Sequence, residues 1–119
     1  MFVNCSNHSV DKWDHDQIEA AQQWGEIIDF PFPYVSAEFD EKQVEELVED
    51  AVKKILELKP DIVMCQGEFT VTYGIVNQLK KHGVPSVAAC SERKVIEEHQ
   101  TDGSVLKTSQ FRFVQFRKF

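Results

Sequence analysis

Two rhythms alternate along the chain: short continuous apolar runs, and apolar stripes spaced three and four apart. Met1–Cys5 is the first run and reads as a buried strand. It ends in the polar packet Ser6-Asn7-His8, with no glycine or proline to make an ordinary turn. After the loop to Trp13, Asp14 with Gln17 three residues on has the form of a capping box. A short helix follows, with Ile18, Ala21 and Trp24 on one side and Gly25 closing it. Glu26–Pro33 reads as a second strand, stopped by Pro31 and Pro33. Asp40 and Gln43 repeat the capping signature, and Val44, Leu47, Val48, Ala51, Val52 and Ile55 form the clearest helical stripe in the chain. Glu49–Lys53 and Asp50–Lys54 are supporting pairs on its wet side.

Lys59–Gly67 reads as a third strand, introduced by Pro60, and residues 68–83 spell a third helix. Lys80, Lys81 and His82 sit in its last turn, where the helix dipole favours cations, and Gly83 stands at its C-cap. Val84–Ser91 is a fourth strand. From Arg93 the pattern changes. Two alternating segments flank Thr101-Asp102-Gly103, a hairpin signal. Phe111 and Phe113 alternate with polar residues, then Val114 and Phe116 continue on the other phase, a slip that predicts a bulge or a change of buried face.

Strands alternating with helices imply right-handed crossovers and a mainly parallel sheet covered on both faces. The expected fold is a single α/β domain, a Rossmann-like or flavodoxin-like sheet of order 2-1-3-4. Residues 1–92 form its βαβαβαβ core and residues 93–119 a C-terminal β-hairpin that caps the sheet or builds a homodimer contact.

Charge narrows the partners. The 119 residues carry a net charge of −7, which repels long nucleic acids but leaves room for a small phosphate ligand at a local site. Cys5, Cys65 and Cys90 each lie in an apolar run and read as reduced, buried thiols of a cytoplasmic protein. No Cys/His spacing points to a metal, no motif to a cofactor, and no apolar run approaches the roughly 20 residues of a membrane helix.

In sheets of this kind ligands sit beyond the carboxyl ends of the strands, where the strand order reverses. With order 2-1-3-4 that crevice lies between strands one and three. Strand one delivers Ser6, Asn7 and His8, strand three Gln66, Gly67, Glu68 and Thr70, and strand four Ser91 and Arg93. Gly67 would let a ligand approach the backbone, Arg93 would grip phosphate, and Asn7 and Gln66 would read a base edge or ribose hydroxyl. His8 and Glu68 are the candidates for proton transfer or nucleophilic attack, and Trp13 for stacking on a base. Simpler roles stand beside these. Ser6 and Asn7 can cap the loop, Glu68 can complement the helix dipole, Trp13 can cover the core, and Arg93 can pair with Glu92 or Glu68.

Asn4-x-Ser6-x-His8 followed by a Gln-bearing helix start at Gln17 resembles the opening of small CRISPR-associated accessory proteins of the ring-nuclease type. That resemblance implies a Rossmann-like dimer that binds a cyclic oligoadenylate and cleaves it without metal, with Ser6, Asn7 and His8 contacting the ligand. The chemistry would be attack of a ribose 2′-hydroxyl on the adjacent phosphodiester, the protein orienting the sugar and stabilising charge on phosphorus. Two other classes fit the same residues. One is a deoxyribosyltransferase-like N-glycosidase in which Glu68 attacks the anomeric carbon; the other is a nucleotide sensor without turnover.

Overall fold

The computed structural model describes residues 1–119. Its elements run β1 (Phe2–Ser6), α1 (His15–Gln22), β2 (Ile27–Asp29), α2 (Glu41–Glu57), β3 (Ile62–Gln66), α3 (Phe69–Lys81), β4 (Ser86–His99) and β5 (Val105–Lys118). They make one mixed sheet of order β2-β1-β3-β4-β5. The first four strands are parallel neighbours, and β5 returns antiparallel to β4.

Both α1 and α2 begin where their capping residues predict. The Asp14 carboxylate accepts from Gln17 N at 2.9 Å, and at α2 Asp40 and Gln43 close a reciprocal box at 2.8 and 2.9 Å. The box expected at Asp14 is thus only half formed, with the Gln17 amide reaching Met64 Sδ at 3.8 Å, while both caps satisfy backbone donors that a helix start otherwise leaves open.

Side chains alternate across the sheet, so successive strand residues feed two cores. Val3, Cys5, Val63 and Cys65 pack under α2 and α3, with Ala51, Ile55, Ile75 and Leu79. Phe2, Ile62, Met64 and Val87 pack with Ala21 of α1, and Trp13, Trp24 and Phe116 close over that second core. Ile55, Ile75 and Leu79 are fully buried; each contributes about 1.5–3 kcal/mol by leaving water.

Two elements differ from the sequence expectation. β2 is three residues long, and Pro31 and Pro33 beyond it fall in the outward phase of this edge strand, where a missing N–H removes no bond to β1. Main-chain bonds persist beyond it, Phe30 N to Asn4 O at 2.8 Å and Phe32 N to Ser6 O at 3.2 Å, so the segment stays beside β1. β4 does not stop at Ser91. It runs unbroken to His99 and is itself the first strand of the hairpin.

The phase slip in β5 is a bulge. Cys90 pairs with Gln115 and Ser91 with Phe113, leaving Val114 as the extra residue. The bulge returns Phe113 and Phe116 to the same side, their ring centres 4.8 Å apart. Beyond it, nearly every residue from Ser91 to Arg112 is exposed. This two-stranded ribbon helps stretch the molecule to 58 × 37 × 21 Å.

Candidate functional site

The carboxyl ends of β1 and β3 lie side by side, Ser6 opposite Gln66. The polar packet that ends β1 is first of all a brace. The buried Asn4 amide donates to His8 O and to Asp29 Oδ1, each at 2.8 Å. Ser6 Oγ donates to Asn4 Oδ1 at 2.7 Å and accepts from His8 N at 3.2 Å. Asp29 also accepts from Val10 N at 3.2 Å. Asn4 is 1% exposed, and these partners remove the cost of burying its amide. Sequence reasoning passed over Asn4 and Asp29 as functional-site supports. Their signal was a polar residue inside each of two apolar runs, at positions the sheet pairs directly.

Several of the expected ligand contacts are occupied inside the protein. Gln66 Oε1 accepts from Ala89 N at 2.7 Å, and its amide reaches Ala89 O at 3.5 Å. The side chain thus carries on the β3–β4 ladder, whose last paired residues are Met64 and Val87. A Cβ at Gly67 would stand 2.6 Å from the Phe32 ring, so the glycine admits that ring rather than a ligand. Trp13 is half-buried, edge-on to Phe2 with ring centres 6.0 Å apart, and its indole N–H donates to His8 O. It covers the α1-side core.

Glu68 is the N-cap of α3. One carboxylate oxygen accepts from Thr70 N at 3.0 Å and the other from Val71 N at 2.9 Å, while the Thr70 hydroxyl lies within 2.9 Å of both. The hydrogen bonds from Thr70, then from Val71, hold its pKa below the ordinary carboxylate value. It is therefore ionised and engaged at neutral pH, a poor general acid and a weakened nucleophile.

Ser91 and Arg93 belong to the ribbon and are exposed. Gln66 bonds to Ala89, so Arg93 stands four residues beyond that level, about 13 Å at the rise of an extended strand. Neither lines the hollows at the β1 end.

Asn7 and His8 remain exposed at the rim. Asn7 lines two adjoining hollows. One, of about 200 Å³, is walled by Asn4, Ser6 and Asp29; the other, of about 360 Å³, by Pro33, Tyr34 and Glu68; Phe32 borders both. Tyr34 is 82% exposed, and its ring stands edge-on to Phe39. No lysine or arginine lines either hollow. Below the rim, Cys5 and Cys65 are paired neighbours within the core. The hydrogen bond to Cys5, with burial, pushes the Cys65 thiol far up, so it stays protonated and inert.

Taken together, the sheet and its rim define a small α/β protein with a braced strand-end loop and a ribbon extending one sheet edge. The chain belongs to the uncharacterized protein MJ1673 family, matched over residues 1–117. No curated protein and no solved structure matches it. No helix is long and apolar enough to cross a membrane.

Proposed function

We propose that this is a Rossmann-like nucleotide-binding protein whose rim at Asn7 holds an adenine-bearing second messenger, a cyclic oligoadenylate being the candidate ligand. The observation that carries the reading is the position of Asn7. Its exposed amide separates two hollows beside the outward-facing ring of Tyr34. An asparagine amide matches the donor and acceptor on an adenine edge, and an exposed aromatic ring supplies a stacking face. The Asn4–Ser6–Asp29 brace fixes the loop, so binding costs little ordering of the backbone.

The same geometry favours holding the ligand over attacking it. Glu68 is tied to its own helix, which removes support from the N-glycosidase reading. His8 is the exposed side chain at the β1 end whose ring nitrogens can accept and donate a proton. Any cleavage therefore uses the ligand's own 2′-hydroxyl: the P–O2′ bond forms as the P–O5′ bond breaks, leaving a 2′,3′-cyclic phosphate and a 5′-hydroxyl, with His8 carrying the proton from the 2′-oxygen to the departing 5′-oxygen.

Incubating the protein with cyclic tetra-adenylate and cyclic hexa-adenylate, without metal, tests the proposal. Binding of one ring size is expected. Metal-free cleavage lost in His8→Ala marks a ring-nuclease-like enzyme; binding without cleavage marks a sensor. If neither ring binds, the proposal fails.

A further inference from the structure

The ribbon Ser91–Arg112 is exposed on both faces. A lone two-stranded hairpin is at best marginally stable in water, yet this one exposes Val95, Val105, Leu106 and Phe111, the last at 80%. Register places nine side chains on one face: Ser91, Arg93, Val95, Glu97 and His99 from β4, and Val105, Lys107, Ser109 and Phe111 from β5. Arg93 lies directly opposite Phe111. The charge is equally uneven. Residues 91–119 carry six Lys/Arg against four Asp/Glu, including all three arginines, whereas residues 1–90 carry seven against sixteen.

A second exposed aromatic feature lies on the body. Phe69 and Tyr73, one turn apart on α3, are 89% and 74% exposed. Tyr73 borders a hollow of about 360 Å³ between α2 and α3, floored by Val44, Val48 and Gly74 and edged by Glu45 and Glu49. This groove runs along Val44–Glu49 of α2 and Thr70–Gln78 of α3, and its Thr70 end lies at the strand-end side of the sheet from which the ribbon departs. A ribbon leading away from its own body meets such a groove only on a molecule facing it.

We infer that the ribbon is a docking arm for a second copy of this chain. The face bearing Arg93, Val95 and Phe111 lies on the partner's α2–α3 groove, and the contact is repeated by a two-fold axis. Phe111 and Val95 cover Tyr73 and Val44, while Arg93 meets the acids on the groove edge; Lys107, on the same face, is paired with Glu97 of its own arm at 3.6 Å. Each subunit then contributes one arm and one groove, and the two together approach the roughly 20–30 residues a side of a standard interface. The inference is independent of the proposed ligand.

Sedimentation equilibrium of the full chain without nucleotide tests it, with circular dichroism as a control on folding. Wild type sediments as a dimer at micromolar concentration. Phe111→Ala raises the dimer dissociation constant at least about 30-fold, as truncating a central aromatic anchor does. Arg93→Glu dissociates it, and adding Glu45→Lys with Glu49→Lys restores it. All these positions are exposed, so each variant keeps the wild-type spectrum. A wild type that remains monomeric at high concentration overturns the inference. So does a dimer that Phe111→Ala leaves intact, or one the paired charge reversals fail to rescue.

Discussion

At Gly67 the Phe32 ring leaves no room for a methyl group. Gly67→Ala must displace either the ring or the start of α3, and overpacking of this kind costs about 1–3 kcal/mol. Denaturant unfolding should show the loss as a lower midpoint with an unchanged slope. Glu68 makes a second prediction through its lowered pKa. A carboxylate depressed in the folded state adds stability above its unfolded pKa, near 4.5, and loses it as pH falls through the folded value. The side chain is exposed, so solvent screening keeps the contribution below about 1 kcal/mol. Glu68→Gln should therefore lower the melting temperature slightly at pH 7 and flatten its fall between pH 5 and 3 relative to wild type. An unchanged acid limb would mean the cap contributes nothing. Which rim residues a ligand can reach was hardly legible in the sequence. Gln66 is engaged by Ala89, 23 residues away, and Gly67 by a ring 35 residues earlier, and no local pattern announces either partner.

The helices, by contrast, were plain from local spelling, since a capping box closes within three residues and an amphipathic stripe repeats every turn. The strands were harder to bound. β2 is only three residues long, yet Phe30 and Phe32 still donate to β1, because Pro31 and Pro33 occupy the outward phase of an edge strand. β4 is long because nothing between Ser91 and Gln100 breaks it; a polar run in a two-stranded ribbon looks the same as a loop when only composition is read. The bulge was visible as a phase slip because burial of Phe113 and Phe116 on one side demands an odd residue between their phases. Hydrogen exchange makes the element-level prediction. Amides of β1 and β3 should be protected at every concentration. Those of residues 93–112 should exchange rapidly in dilute protein and slow by at least about tenfold when the docked dimer forms. Ribbon protection independent of concentration would mean the arm is stabilised within its own chain.

For the whole molecule, an acidic body and a net-positive, arginine-bearing arm would attract each other locally across the proposed contact, whereas the net charge of −7 disfavours long nucleic acids. Raising salt from 50 to 500 mM should weaken the dimer, because such contacts are screened over about 10 Å at 0.1 M. The order expected for the first four strands, the simplest that the alternation allows, is the one observed, and it seats β1 against β3. That adjacency turns the β1 loop into a rim, with the Asn4 brace beneath it and the Asn7 amide exposed above. The most direct test of the account is a heteronuclear NMR titration with cyclic tetra-adenylate and, separately, cyclic hexa-adenylate. The account predicts that the Asn7 side-chain amide and the backbone amides of Asn7, His8 and Tyr34 shift with one of the rings, while those of α1 stay in place, and that Asn7→Ala weakens binding at least about tenfold without changing stability. Saturable shifts confined to other surfaces, or no shifts with either ring, would contradict it.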